Sequence, residues 1–175
     1  MTSRRTRGAL IAMMAIIVGG IALDQITKAI AVARLTPGVP ISVLSDIVTL
    51  QLWRNAGAAF STGTSMTVAF SILAVAVLVA VSVWVIPKVR SMVWAVGVGM
   101  GMAGVAGNFI DRLVRAPGPF RGLVVDFISV KHFAVFNVAD ILLTCAALWI
   151  VLIVFVFKSD FKGEPMSQGA RRTTR

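Results

Sequence analysis

The sequence predicts an all-α polytopic membrane protein. It would have four transmembrane helices, both termini on the cytoplasmic side and a small extracytoplasmic β-sheet region. Three observations predict it. Hydrophobic residues make up 58% of the 175 positions and charged residues only 14%, with mean hydropathy +0.91; soluble domains carry about 45–50% apolar and about 25% charged residues. Four apolar stretches, near 8–33, 66–86, 92–110 and 138–157, reach the roughly 20 residues needed to cross a bilayer. The cations gather at alternate ends of these stretches, as the positive-inside rule requires.

Taken element by element, the first stretch follows Arg4, Arg5 and Arg7 and ends in Asp24 and Lys28 without a small-residue cleavage pattern. It reads as a retained helix and not as a cleaved signal peptide. Lys88 and Arg90 occupy the tight turn between the second and third stretches, and Lys158, Lys162, Arg171, Arg172 and Arg175 follow the fourth. These sites face the cytoplasm, so 35–65 and 111–137 face outward. In the first outer segment Ile47–Leu52 alternates apolar and polar residues, the pattern of a half-buried strand, after a turn set by Pro37, Gly38 and Pro40. In the second, Leu123–Ile128 is a short apolar run broken by one acid, Asp126. The chain divides into one membrane domain, 1–158, and a basic cytoplasmic tail, 159–175, expected to be disordered.

Composition excludes several chemistries. The net charge of +10 would suggest nucleic acid in a soluble protein; here it marks cytoplasmic ends, and no nucleic-acid partner is expected. One cysteine, Cys145, and one histidine, His132, leave no disulfide framework and no Cys-based zinc cluster. No metal site and no cofactor is expected, so catalysis would rest on carboxylates, hydroxyls, amides, Lys or Arg. Cys145 reads as a buried packing thiol and His132 as a solvated surface residue. Ser61 with Lys28 is a remote Ser–Lys possibility.

Five of the seven acids lie toward the outer side: Asp24, Asp46, Asp111, Asp126 and Asp140. A carboxylate within an apolar span costs several kcal/mol unless it is paired or hydrated. Asp24 has Lys28 one turn later, which reads first as an ion pair anchoring a helix end at the interface. Gly97, Gly101, Gly104, Asn108 and Asp111 share one helix face, small residues first and then polar ones, with Arg112 beside them. Asn137 and Asp140 share a face at the start of the fourth span. Asp126 and Asp140 reach one interface with no cation adjacent in sequence. They read as a coupled pair sharing a proton, or as two unrelated acids satisfied by backbone or arginine.

The blocks Asp24-Gln25-x-x-Lys28, Asn55-x-Gly57-x-Ala59-Phe60-Ser61, Gly104-x-x-Gly107-Asn108-x-x-Asp111-Arg112, Val124-Val125-Asp126-Phe127 and Phe136-Asn137-x-Ala139-Asp140 resemble, in order, the five sequence blocks of bacterial lipoprotein signal peptidase, or signal peptidase II. The resemblance implies a membrane aspartyl endopeptidase of the bacterial cytoplasmic (inner) membrane, with its site near the outer face. Such an enzyme cleaves prolipoproteins just before a diacylglyceryl-modified cysteine. It implies Asp126 and Asp140 as catalytic acids. Asp24, Lys28, Asn55, Gly57, Asn108, Asp111, Arg112 and Asn137 would contact substrate or support the site. Membrane lipid would be a partner, and globomycin-type peptides would inhibit. Two carboxylates suffice for this chemistry, one taking a proton from water while the other donates to the carbonyl oxygen. A small carrier using Asp24, Asp111 and Asp140 as a proton or cation path is the competing class, and a structural membrane subunit the third.

Overall fold

The computed structural model describes residues 2–57 and 63–165. All four spans are helices: α1 (Thr2–Arg34), α2 (Gly63–Ala80), α3 (Met92–Val114) and α4 (Val138–Val151). α2 continues through a π-helical turn, Val81–Val85, and a short 3-10 turn, Ile86–Lys88. Pro87 ends it, lacking the N–H that a further helical turn would use. α4 continues as a π-helical turn, Leu152–Phe157, and stops at Lys158, which adopts a left-handed conformation (φ 46°). Each helix is long and apolar enough to cross a membrane.

α3 is the hub. In its most apolar window 44% of residues are buried, against 6% in α2, so the other helices turn most of their surface outward. The expected small-residue face packs on α4. A Cβ built at Gly104 would lie 2.6 Å from the Ala139 carbonyl oxygen and from Leu143 Cγ, and one at Gly97 would lie 2.9 Å from the Trp149 ring. A second small stripe, Gly99, Ala103 and Gly107, packs on α1. There a Cβ at Gly20 would fall 2.7 Å from Ala103 Cβ, and one at Gly107 would fall 2.6 Å from Asp24 Oδ2. Only small residues let both backbones come this close.

The two outer segments form a single antiparallel sheet, ordered β1 (Ile41–Leu44), β2 (Val48–Asn55), β3 (Val124–Val130) and β4 (Ala134–Phe136). β2 and β3 pair with Trp53 opposite Asp126 and Asn55 opposite Val124, after an irregularity between Leu50 and Trp53. Asn55 and Asp126 are therefore diagonal neighbours on one face. The other face buries Leu52, Val125 and Phe127 against Ala31 near the end of α1.

Two expectations are corrected. Part of the tail is folded: Ser159 pairs with Pro165, Asp160 Oδ1 accepts from the backbone N–H groups of Lys162 and Glu164, and Phe161 stacks on Trp94. An Asp that caps its own turn and an aromatic ring that finds an apolar partner order a segment whose composition reads as solvated. Residues 166–175 lie outside the described residues. Cys145 is exposed, because α4 meets α3 through Ala139, Leu143 and Ala146 and turns Cys145 away.

The close approach at Gly104 sets a prediction. Gly104→Leu should destabilise the protein by about 1–3 kcal/mol through overpacking. Gly101→Ala, whose Cβ would sit 3.6 Å from Ala146 Cβ, should be neutral or stabilising. Thermal unfolding in detergent measures both.

Candidate active site

Asp126 is delivered by β3 and Asp140 by the first turn of α4. Asn137 caps that helix: its Oδ1 accepts from the Asp140 N–H at 3.1 Å, and its own N–H donates to Asp140 Oδ2 at 3.1 Å. This reciprocal capping box fixes Asp140 relative to the helix end. The same residue reaches the other acid, since Asn137 Nδ2 donates to Asp126 Oδ1 at 2.6 Å. Asn55 Nδ2 donates to Asp126 Oδ2 at 2.9 Å, and Asn108 Nδ2 donates to Asp140 Oδ1 at 2.8 Å. Asn137 thus links Asp126 and Asp140 in one hydrogen-bond network. Its direct donors are neutral amides and one backbone N–H. Asp126 is 2% exposed, while Asp140 is half-buried.

Behind this layer lies a sealed ionic one. Lys28 Nζ sits 2.9 Å from Asp24 Oδ2 and 2.8 Å from Asp111 Oδ2, all three side chains fully buried, and donates to Asn108 Oδ1 at 2.9 Å. An ammonium has three donors, and all three are used. Lys28 is thus no free amine, which removes the base that a Ser–Lys arrangement would need. The pair expected to anchor a helix end at the interface is fully buried. Asp24 Oδ1 accepts from the Ala139 N–H at 2.9 Å and Asp111 Oδ2 from the Val125 N–H at 3.1 Å. Two residues outside the expected set complete the layer. Arg115 Nε meets Asp111 Oδ1 at 2.6 Å, and Gln25 Nε2 donates to Asp24 Oδ2 and to the Gly107 carbonyl, each at 3.0 Å. The i,i+4 spacing of Asp111 and Arg115 was a readable signal; that of Gln25 was only its place beside Asp24.

Arg112 lies to one side. Its Nη1 donates to the Asn108 carbonyl at 3.2 Å and its guanidinium stands 5.8 Å from the Phe70 ring centroid. Among the described residues its buried Nε has no hydrogen-bond partner. Gly57, with φ +90°, donates its N–H to Asn55 Oδ1 at 2.7 Å. A Cβ there would lie 2.8 Å from Phe70 and 3.3 Å from Arg112 Nη2, so glycine serves both the turn and the approach.

The other candidates stand apart. Asp46 is exposed in the β1–β2 turn and His132 is exposed in the β3–β4 turn. Ala59, Phe60, Ser61 and Thr62 lie outside the described residues. Cys145 lines a shallow apolar recess with Phe133, Phe136, Ile141 and Thr144, which Asp140 borders. No three His, Cys, Asp or Glu side chains converge as a metal cage among the described residues.

Residues 16–156 match the family model for signal peptidase (SPase) II. The lipoprotein signal peptidase of Mycobacterium tuberculosis is 42% identical over 90% of this chain and 78% of its own length. That of Mycobacterium avium is 46% identical over 82% and 79%, and that of Streptomyces coelicolor 40% over 86% and 74%. Two solved structures of a bacterial membrane enzyme, obtained in meso at 1.9 and 2.3 Å resolution, each superpose with TM-score 0.73. The first is 28% identical and spans 82% of this chain and 92% of its own; the second is 26% identical and spans 93% and 94%.

Burial pushes the Asp126 carboxyl up to about 6, against an ordinary value of 3.8. The Asp140 charge adds to the rise, while the Asn55 and Asn137 donors and the Lys28 charge oppose it. Infrared titration of the protonated carboxyl band should show a midpoint near 6 that is lost in Asp126→Asn. Asn55→Ala should move it to higher pH, because a donor to the charged form is removed. Folding linkage has the matching sign: Asp126 costs nothing below its unfolded value, and stability falls as pH rises from there through about 6. Lys28→Met strands two buried carboxylates and should cost about 3–5 kcal/mol in a detergent unfolding assay.

Proposed function

The chain belongs to the signal peptidase II family of aspartic peptidases, and from that premise we propose that it cleaves prolipoproteins just before a diacylglyceryl-modified cysteine, with Asp126 and Asp140 acting on one water. The observation that carries the reading is the amide bridge. Asn137 donates to Asp126 and caps Asp140, so two acids from different elements address one reacting group.

Two neighbouring acids in a low-dielectric site do not both ionise cheaply, so the pair holds one proton. Asp126, the more buried acid, holds it below about pH 6. Asp140 takes a proton from water as the water oxygen bonds to the scissile carbonyl carbon, and Asp126 donates its proton to the carbonyl oxygen. The tetrahedral gem-diol then collapses. Asp140 gives its proton to the leaving amine, the C–N bond breaks, and Asp126 recovers a proton from a diol hydroxyl. Asn55, Asn108 and Asn137 hold the carboxylates at fixed rotamers through this exchange. Asp24, Lys28 and Asp111 are sealed from substrate and act as support. Arg112 and Gly57, at the edge of the site, contact the substrate backbone.

The protein resides in the bacterial cytoplasmic membrane with both termini inside and the dyad near the outer face. There the end of a substrate's signal helix, and the lipid on its cysteine, lie at the right depth. Globomycin-type cyclic peptides occupy the same site.

With purified protein and a lipid-modified prolipoprotein, Asp126→Asn and Asp140→Asn should each lower kcat/KM by about 10²–10⁴-fold or more with folding intact. Asp46→Asn, Cys145→Ala and His132→Ala should stay near wild type, and activity should survive chelators. Loss of activity in Asp46→Asn but not in Asp140→Asn would place the site elsewhere. Cysteine labels in the loop at 117–121 should react only from outside, and labels after Arg175 only from the cytoplasm. An outward C-terminus would overturn the topology.

A further inference from the structure

At the end of the bundle away from the dyad, a cavity of about 420 Å³ opens where three parts of the chain meet. It is lined by Gly8 of α1, by Arg90, Ser91 and Met92 at the start of α3, and by Lys162 and Gly163 of the folded tail. The tail turn is built onto the bundle. The Phe161 carbonyl accepts from the Arg90 N–H at 2.9 Å and from the Ser91 N–H at 3.2 Å. The Phe161 and Trp94 rings lie with centroids 4.3 Å apart, and the Trp94 indole donates to the Ser159 carbonyl at 3.2 Å. Gly163, at φ +85°, comes so close that a Cβ there would lie 3.1 Å from Ser91 Cβ and Oγ. Asp160 closes the turn on the N–H groups of Lys162 and Glu164. These contacts fix Lys162 on the same cavity as Arg90.

Two cations held on one cavity repel each other unless an anion stands between them. Among the described residues no acid lines this cavity, and neither Arg90 nor Lys162 has an ion-pair partner. Ser91 occupies the N-cap position of α3, yet its hydroxyl makes no cap hydrogen bond and lines the cavity as a further donor. A guanidinium, an ammonium and a hydroxyl around one space suit a phosphate group. Depth selects which phosphate. The cavity lies where the membrane-crossing stretches 6–34 and 92–114 begin. Exposed Trp84 stands near the same end of the stretch 66–88, the level at which tryptophans meet the membrane surface. Met92 and Val93, both exposed, offer an apolar path from the cavity along α3. Acyl chains lie well on such a path, whereas a free phosphate gains nothing from it. We infer that this cavity binds the phosphodiester headgroup of an anionic phospholipid, with Arg90 and Lys162 pairing its charge and Ser91 donating to it. One lipid then ties α1, α3 and the tail turn together. The inference stands independently of the peptidase reading.

A photoreactive benzoylphenylalanine at Met92, in the full-length protein in vesicles of phosphatidylethanolamine with a minority of phosphatidylglycerol, tests the site. Mass spectrometry of the adducts should show phosphatidylglycerol enriched at least tenfold over its share of the bilayer, while the same probe at Trp84 should report the bulk composition. Arg90→Gln and Lys162→Gln should each lower the Met92 enrichment about fivefold, since a cation near an anionic surface contributes about 1 kcal/mol. The double variant should reach the bulk composition. Arg90→Lys with Lys162→Arg should keep the enrichment, and so should Lys158→Gln, an exposed cation that does not line the cavity. Equal lipid ratios at Met92 and Trp84, or an enrichment that survives the double glutamine variant, would overturn the inference. Inorganic phosphate separates the two sources of the anion. Millimolar phosphate should leave the enrichment unchanged; if it erases the enrichment, the site takes a free anion and the lipid assignment falls. The readout needs no cleavage, so failure here leaves the peptidase reading intact, and an inactive enzyme leaves this test intact.

Discussion

The arrangement of this protein depends on one ammonium group. Lys28 is fully buried and shares its three donors among Asp24, Asp111 and Asn108. Buried away from solvent, an unpaired charge would be prohibitive, so each partner must stay in place. Each acid then spends its remaining oxygen capacity on another element. Asp24 holds the first turn of α4 through the Ala139 N–H, and Asp111 holds β3 through the Val125 N–H and Arg115 through its guanidinium. Four elements from distant parts of the chain are thereby fixed about one point. Replacing such a cluster with apolar residues is often no less stable, so its contribution here is geometric: it specifies which backbone meets which.

The steric condition for this cluster lies in α3. Asp24 fits only because position 107 lacks a side chain, and α4 meets α3 only because position 104 does. The two small-residue stripes therefore bring in the two helices that carry the acids. Packing and electrostatics are coupled at Gly107, where one added carbon would collide with a carboxylate oxygen that Lys28 needs.

The amide layer separates two electrostatic regimes. Below it, the charges of Asp24, Lys28, Asp111 and Arg115 sum to zero. Above it, Asp126 and Asp140 have no cation in direct contact among the described residues, and Asn108 stands between Asp140 and Lys28, donating to the first and accepting from the second. Amide donors orient a carboxylate without compensating its charge as a cation would, so burial can still raise the proton affinity of Asp126.

Hydropathy alone located the four spans, because crossing a bilayer is a demand on each segment separately. Period-2 alternation and a short apolar run located β2 and β3, although β4 is too short to show a pattern. Asp126 and Asp140 stood out because an acid in an apolar run is costly wherever it occurs. What each acid touches was only partly legible: the Asp24–Lys28 pair shows in the i,i+4 spacing, but the other partners of Lys28, Asn108 and Asp111, lie 80 or more positions away on α3. The sharing of Lys28, the bridge through Asn137 and the role of Gln25 arise only when α1, α3, α4 and β3 meet. Cys145 shows the same limit from the other side. Lipid and protein interior are equally apolar, so composition cannot tell a helix face that packs from one that faces the bilayer; only the packing of α4 on α3 decides it.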